Sequence, residues 1–202
     1  MNNILLLASK SKSRRSLLAQ ASIPYVLLDQ EADETECDWA MPLQKLVESI
    51  TVHKMAQIVM PKVKEGQEFF VLTADTLTQS SQLEILGKPA SRAHAIEMIN
   101  ALRKGIARVG TAFCLDKKIF KYNEWQIVDR KLVFVESTCD FKVPELWIDR
   151  YLEHSYALQC SGSMAMDGYG AQFLHNLTGS YTTILGLPLC ELRNSLEQLG
   201  FY

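Results

Sequence analysis

The sequence of 202 residues has little of several features that mark other classes of protein. Its five cysteines are widely spaced and include no Cys-x-x-Cys pair, which argues against a disulfide framework or a zinc knuckle and favours reduced thiols in the cytoplasm. No apolar run reaches membrane-spanning length, and residues 4–7 are too short for export. The net charge of −2 gives no global attraction to nucleic acid, so anion binding must depend on a local cluster. With 48% hydrophobic residues and no linker, the chain is predicted to be globular.

A short apolar run, Phe-Phe-Val-Leu at residues 69–72, is typical of a buried strand. Asp75 and Thr76 follow it, so we expect Asp75 to emerge at the end of that strand, where open α/β sheets place chemistry. On this segment alone, an aspartate that caps a turn is the alternative. Lys88 follows in Gly87-Lys88-Pro89, and a carboxylate followed by such a lysine suits a site for a metal and an anion.

A hydroxyl-rich and basic stretch follows the first predicted strand. Ser9, Ser11 and Arg14 lie where a helix is expected to begin, and hydroxyl groups and cations there favour an anion site. The stretch has no glycine and is not a Walker loop; a solvated basic turn is the alternative. Lys54 lies on a long helix predicted to begin at Pro42, and its alternative interpretation is a surface lysine with a partly packed stem.

Further helix and strand patterns follow along the rest of the chain. Residues 77–86 have the pattern of a short hairpin, and Ser91 is suited to cap the next helix. Residues 109–115 and 126–141 are strand-like, and we expect them to be joined by a turn around Lys117-Lys118. Such long antiparallel strands indicate a second lobe.

A segment of small residues, 160–170, contains three glycines. Glycine allows the backbone to pass close to a flat ligand. As one wall of a base pocket, the segment would give Asp167 a role in binding; a plain loop is the alternative.

Several short motifs follow one another along nearly the whole chain. They are Leu7-Ala8-Ser9-Lys10-Ser11 followed by Arg14, Asp33-Glu34-Thr35, Lys54-Met55-Ala56, Asp75-Thr76, Gly87-Lys88-Pro89, Gly179-Ser180-Tyr181 and Gly186-Leu187-Pro188-Leu189. No single motif is specific, but together they resemble the Maf-like nucleoside triphosphate pyrophosphatases.

The resemblance implies a fold and an activity. The implied fold is a single α/β domain over residues 1–202, with a mixed twisted sheet flanked by helices and two lobes with a cleft between them, similar to inosine triphosphate pyrophosphatase. The implied reaction cleaves the alpha-beta phosphoanhydride of a nucleoside triphosphate with a divalent cation, Mg²⁺, Mn²⁺ or Co²⁺. A cytoplasmic homodimer that binds neither nucleic acid nor membrane is also implied.

The resemblance also assigns roles to residues. Asp75 and Lys88 are the implied catalytic residues, and Glu34 and Asp75 the implied metal ligands. The implied substrate-binding residues are Ser9, Ser11, Arg14, Lys54, Thr76 and Asp167. Cations and hydroxyl groups suit a triphosphate, and carboxylates suit Mg²⁺ or Mn²⁺.

The sequence departs from the family pattern at positions that bear on substrate specificity. Lys12 and Ser13 replace the usual proline and first arginine, and Gln159-Cys160-Ser161-Gly162 replaces Asp-Lys-Ala-Gly. Asp167 replaces the glutamine of members that act on dTTP and UTP, and the stretch is similar to the 7-methyl-GTP branch. A carboxylate can accept the N–H groups of guanine but repels the carbonyl groups of uracil and thymine. Because 7-methylated guanine carries positive charge, Asp167 or the face of Tyr169 would favour it, and we predict 7-methyl-GTP ahead of dTTP and UTP.

Two further interpretations remain open. A catalytically weak nucleotide-binding regulator of cell division would fit the substituted arginine and Gln159, although Glu34, Asp75, Lys54 and Lys88 are all retained. A phosphatase with Asp75 as nucleophile would normally have a second aspartate two positions on, where Leu77 stands.

Overall fold

A computed structural model describes residues 3–202, and the chain divides into two compact units. Unit 1 contains the chain up to Asp75, Ala112–Phe134 and Gly186–Tyr202. Unit 2 contains Thr76–Thr111 and Val135–Leu185. Each unit is therefore assembled from segments that lie far apart in the sequence.

Seven strands and six α-helices account for most of the regular structure of residues 3–202. The strands are β1 (Leu5–Leu7), β2 (Tyr25–Leu27), β3 (Glu68–Gln79), β4 (Ile85–Leu86), β5 (Ala107–Lys121), β6 (Glu124–Phe141) and β7 (Leu174–Thr178). The helices are α1 (Lys12–Gln20), α2 (Leu43–Ala56), α3 (Arg92–Leu102), α4 (Ile148–His154), α5 (Tyr181–Ile184) and α6 (Leu189–Gln198), and short 3₁₀ turns include Glu34–Glu36 and Ser161–Ser163.

The strands pair in the order β2-β1-β3-β5-β6-β7, with β4 paired to β3. β1 is parallel to both β2 and β3, whereas β3–β4 and β6–β7 are antiparallel. The sheet is thus mixed and open, which confirms the predicted α/β class. The predicted hairpin is confirmed as well, because Thr78 lies opposite Leu86.

Unit 1 buries β1 on both faces, as expected of a parallel strand between two others. Leu6, Met55, Val71 and Cys114 form one apolar cluster that joins the strands to α2. Helix α1 follows β1 closely, and its N-cap Ser11 accepts a hydrogen bond from the backbone N–H of Arg14. This cap fixes the hydroxyl-rich stretch at the start of the helix.

Unit 2 has its own core, in which Tyr151 is fully buried. Its ring packs against Phe141 and Phe173, and its hydroxyl donates to the carbonyl of Ser163 at 2.8 Å. The same hydroxyl accepts from the N–H of Ala165 at 2.7 Å. Because the buried phenol bonds backbone on both sides of Met164, it holds the small-residue segment in a defined path.

Two sequence expectations are wrong in detail. Asp75 does not lie at a strand end, because β3 continues to Gln79. Polar residues of β3 can be buried where a neighbouring element bonds them: the hydroxyl of Thr73 donates to the carbonyl of Thr51. The β5–β6 turn lies at Tyr122-Asn123 rather than at Lys117-Lys118, and both turn residues have positive φ, as a two-residue hairpin turn requires.

None of the helices within residues 3–202 is long and apolar enough to cross a membrane.

Candidate active site

In unit 1, Lys54 pairs with two carboxylates. Its Nζ lies 2.5 Å from Oδ1 of Asp75 and 2.7 Å from Oε1 of Glu34. Lys54 and Asp75 are buried, whereas the side chain of Glu34 is 34% exposed. Lys54 projects from α2, Asp75 from β3, and Glu34 from the short turn after β2. Three separate segments therefore converge on one ammonium group, and the alternative of a surface lysine is wrong.

Arg14 completes this part of unit 1. Its Nε donates to the carbonyl of Gly186 at 2.7 Å, and a terminal nitrogen donates to Oγ of Ser9 at 3.2 Å. The hydroxyl of Ser9 also accepts from the N–H of Ser11 at 3.3 Å. The guanidinium is thus held in place by the backbone and by the hydroxyl-rich stretch itself.

The buried Arg14 lies in the field of both carboxylates. Burial lowers the pKa of its guanidinium, while the charges of Asp75 and Glu34 raise it. An arginine keeps its charge in proteins under such opposing effects. Two cations and two carboxylates thus gather with two hydroxyl groups, a set suited to hold a phosphate chain and the cation that accompanies it.

The carboxylates of Asp75 and Glu34 suit a divalent cation that takes only part of its ligands from the protein. Oδ2 of Asp75 is buried and has no hydrogen-bond partner within residues 3–202, so one oxygen remains to be satisfied. The same described residues contain no group of three or more His, Cys, Asp or Glu side chains placed to hold a metal ion. Magnesium commonly takes one or two protein carboxylates and completes its shell with substrate phosphates and water. Asp75 and Glu34 fit that mode rather than an all-protein cage.

In unit 2, Asp167 accepts a short hydrogen bond from the phenol of Tyr156. Asp167 is half-buried, and its charge acts on two neighbours. Burial and, to a smaller extent, the charge of Asp167 raise the pKa of the Cys160 thiol to about 12, and the charge of Lys88 opposes the shift. Burial also raises the pKa of Tyr181, again with a contribution from Asp167. Asp167 and Lys88 therefore share one neighbourhood around Cys160.

The small-residue segment is bonded to β3 and to the residues just before Lys88. Ser161 Oγ accepts from the N–H of Thr78 at 2.8 Å and donates to the carbonyl of Leu86 at 2.5 Å. The N–H of Gly162 donates to the carbonyl of Gly87 at 2.9 Å, and a Cβ at Gly162 would lie 3.1 Å from Thr78. These contacts fix the backbone that presents the exposed Lys88.

Six of the residues singled out from the sequence converge in unit 1: Ser9, Ser11, Arg14, Glu34, Lys54 and Asp75. Thr76, Lys88 and Asp167 belong to unit 2, where Lys88 and Asp167 both act on Cys160 and Thr76 bonds the hydroxyl of Thr111. Their catalytic and binding roles stay predictions. Sequence reasoning missed the carbonyl of Gly186, the phenol of Tyr156 and the hydroxyl of Thr111. Gly186 belongs to a motif, but a motif does not show which group its backbone carbonyl accepts from, and the tyrosine and threonine stand outside every motif.

Comparison with known proteins assigns the chain to a family. The Maf-like protein family model matches residues 4–199. A protein named nucleoside triphosphate pyrophosphatase from Prochlorococcus marinus is 30% identical, over 98% of this chain and 98% of its own length. A protein named dTTP/UTP pyrophosphatase from Ruminiclostridium cellulolyticum is 32% identical, over 99% and 97% respectively. Another of that name, from Bacillus thuringiensis, is 29% identical, over 97% and 95%. The chain therefore belongs to the Maf-like protein family.

Proposed function

We propose that this protein removes pyrophosphate from 7-methyl-GTP or a similarly modified guanine nucleotide. As a Maf-like protein it is a nucleoside triphosphate pyrophosphatase, a hydrolase that acts on an acid anhydride, as its relatives are by name. The products of the proposed reaction are the nucleoside monophosphate and pyrophosphate.

The unit 1 cluster supports the proposed chemistry. Arg14, with the hydroxyl groups of Ser9 and Ser11, would bind phosphate oxygens, and Lys54 would limit the repulsion between them and the carboxylates. Asp75 would orient the attacking water and accept its proton. A divalent cation held by Asp75 and Glu34 would supply positive charge against the charge that develops on the phosphate oxygens.

The observation that carries the choice of base is the environment of Asp167. The phenol of Tyr156 donates to Oδ1, and a carboxylate has a second oxygen that can accept. The N1–H and N2–H₂ groups of guanine are donors, whereas thymine and uracil place two carbonyl groups on the corresponding edge. The negative charge of Asp167 also favours a base that carries the positive charge of a 7-methyl group.

A dTTP/UTP pyrophosphatase is the second candidate. It is favoured by the names of two relatives that match nearly the whole chain. The two candidates make opposite demands on residue 167, so one substitution separates them.

The first test measures pyrophosphate release from 7-methyl-GTP, GTP, dTTP and UTP with Mg²⁺, Mn²⁺ and Co²⁺ supplied separately. We expect 7-methyl-GTP to give the highest kcat/KM. Faster release from dTTP or UTP than from both guanine nucleotides would replace our assignment by the second candidate.

Asp167→Asn keeps the size of the side chain and removes its charge. We expect it to lower kcat/KM for 7-methyl-GTP by about tenfold or more, with dTTP affected little, because the loss falls on the base contact. Asp38→Asn, at an exposed aspartate, is the matched control. An equal loss for every nucleotide would show that residue 167 does not select the base.

Asp75→Asn tests the chemistry itself and separates an enzyme from a nucleotide-binding regulator. Removal of a general base costs about 10²–10⁴ in rate, so kcat should fall by that factor while nucleotide binding is retained. The control is Asp29→Asn, since Asp29 is exposed in the same unit. Unchanged turnover in Asp75→Asn would exclude the assigned role.

A further inference from the structure

The part of β6 that belongs to unit 1 has an open edge. Residues 112–134 lie in unit 1, and β6 lies next to β5 on one side. On its other side β6 pairs with β7 from Thr138 to Phe141. Among residues 3–202, no strand therefore lies along the outer edge of residues 124–134. Such an edge is a template for a further strand.

This edge also exposes apolar side chains. Ile127, Val128 and Leu132 are between 41% and 53% exposed, and they lie on both faces of the strand because neighbouring residues point to opposite faces. A long edge of this kind is a predicted site of pairing with another chain. At its middle, the N–H of Arg130 donates to Oδ1 of Asp129 at 2.7 Å, a side-chain oxygen where a neighbouring strand would supply a carbonyl.

The sequence of the edge is self-complementary about Arg130. When a strand pairs with a second copy of itself about a two-fold axis, the residues that face each other lie at equal distances from one central residue. With Arg130 at the centre, Asp129 faces Lys131 of the second copy, and the pairs on either side are apolar. Those pairs are Val128 with Leu132 and Ile127 with Val133.

The neighbouring registers lack this complementarity. A centre at Asp129 or at Lys131 places two like charges opposite each other and sets an apolar residue against Arg130. A centre at Val128 or at Leu132 sets apolar residues against both Asp129 and Lys131. The pattern therefore specifies one alignment of the two edges.

Arg130, at the centre, already has a partner for its charge. Its guanidinium makes bonds of 2.6 and 2.7 Å with the carboxylate of Asp116, which is fully buried. The repulsion between two arginines at the axis is therefore offset within each copy. Asp129 and Lys131 lie on the other face of the strand, 3.4 Å apart and partly exposed, so each is accessible to the opposite charge of a second copy.

We propose that the outer edge of β6 binds the same edge of a second copy of this chain, antiparallel and with Arg130 at the two-fold axis. Alternate residues of the two edges then exchange N–H···O=C bonds, and two pairs of Asp129 with Lys131 lie on one face of the contact. The pairing occupies the free edge of both copies, so it ends at a dimer and does not extend into a fibre. The proposal is independent of the proposed function.

Charge exchange tests the register. Asp129→Lys places two lysines opposite each other at both sides of the axis, and Lys131→Asp places two aspartates there. The double variant with both substitutions restores opposite charges, and so does an equimolar mixture of the two single variants. Sedimentation velocity over a wide range of protein concentrations gives the Kd of each dimer.

The control variants are Asp38→Lys and Lys62→Asp, at exposed residues of unit 1. They make the same changes of charge away from the edge. Thermal unfolding of every variant shows whether it is folded.

We expect the wild-type protein to be a dimer. Each single substitution turns two attractive pairs into repulsive ones and should raise the Kd of the dimer by about tenfold or more. The double variant and the mixture should return the Kd to within about threefold of the wild-type value, the mixture as a heterodimer with one copy of each variant. The two control variants should leave the Kd unchanged.

A wild-type protein that is monomeric at every concentration would overturn the proposal and show that the charges protect the edge from pairing. So would an oligomer larger than a dimer, or a dimer whose Kd neither single substitution changes, because it would form through another surface. If the double variant and the mixture associate as weakly as the single variants, Asp129 and Lys131 do not face each other and the register is wrong. Because no measurement here depends on nucleotide hydrolysis, a failure of the proposed function would leave these outcomes unchanged.

Discussion

At the scale of single residues, Arg14 is the side chain whose geometry is hardest to replace. Two different nitrogens of its guanidinium bond Gly186 and Ser9, and an ammonium group at the end of a flexible chain cannot reach both in the same way. We expect Arg14→Lys to lower the free energy of unfolding by about 1–3 kcal/mol, measured by urea denaturation, because a buried acceptor loses its partner.

The neighbouring Arg15→Lys is the control for that prediction. Arg15 is half-buried, and its Nε has no hydrogen-bond partner among the described residues, so the change should cost much less. Equal destabilisation by the two substitutions would show that the two bonds of Arg14 do not distinguish it.

The cysteines give a second prediction at this scale. Burial raises the pKa of the thiols of Cys114, Cys139 and Cys160 to about 12, while Cys190 is exposed. A raised pKa keeps a thiol protonated and unreactive until the pH approaches that value, and only the thiolate attacks a disulfide. At pH 8 we expect a disulfide reagent to modify Cys190 in the fast phase and those three thiols slowly.

Cys190→Ser should remove the fast phase of that reaction. If the fast phase persists with unchanged amplitude, it comes from another thiol, either the half-buried Cys37 or one of Cys114, Cys139 and Cys160, and Cys190 is not the reactive cysteine at pH 8.

Asp75 and Arg14 were singled out because they follow a predicted strand and stand at a predicted helix start, and Lys54 was singled out through the family resemblance. The structure pairs Lys54 with Asp75 and bonds Arg14 to Ser9 of its own motif, while their functional roles stay predictions. Tyr156 could not be found in this way, because its phenol meets Asp167 only after the intervening chain has folded back.

At the scale of elements, the β5–β6 hairpin turns on two residues in the left-handed region. Tyr122 has a φ of 54° and its side chain is 82% exposed, so the conformation costs free energy that packing does not offset. Asparagine tolerates this region far better. Tyr122→Asn should therefore raise the free energy of unfolding by about 0.5–1 kcal/mol, measured by denaturation.

Tyr122→Phe requires the same left-handed backbone conformation, and we expect it to leave the free energy of unfolding unchanged. A loss of stability in Tyr122→Asn would mean that the exposed ring contributes to the hairpin.

Element boundaries were the weakest part of the sequence prediction, for a physical reason. Polar residues after Leu72 have the pattern of a strand end, yet β3 continues because neighbouring elements satisfy them: α2 provides the carbonyl of Thr51 and the ammonium of Lys54. The β5–β6 turn was misplaced because neither Tyr122 nor Asn123 is followed by the glycine that marks such turns.

At the scale of the whole molecule, unit 1 depends on the last segment of the chain. Leu187, Leu192 and Leu196 are fully buried, and Phe201 packs edge-to-face on Phe70 at 5.1 Å. Each buried leucine contributes about 1.5–3 kcal/mol. A chain that ends at Leu185 should therefore lose hydrogen-exchange protection in β1 and β2.

Removal of Tyr202 alone is the control, since that residue is 69% exposed. Full protection of β1 in the shortened chain would show that the first segment is stable without the last.

The fold class was predictable because strand and helix patterns are local, and the order of the motifs resembled one family. The division of the chain into two units was not predictable from the sequence. Residues 112–134 and 186–202 join the N-terminal segment through packing between distant parts of the sequence, and no periodicity within a segment records its partner.

The bond between Arg14 and Gly186 joins residues 172 positions apart, and it has a consequence for biosynthesis. A nascent chain on the ribosome presents Ser9, Arg14, Lys54 and Asp75 long before residue 186 is made. The guanidinium has no backbone acceptor from that segment until residue 186 has been made. A product that terminates before residue 186 would therefore carry the charged side chains without the bond that orients Arg14, so the proposed catalytic centre can mature only after that residue has been added.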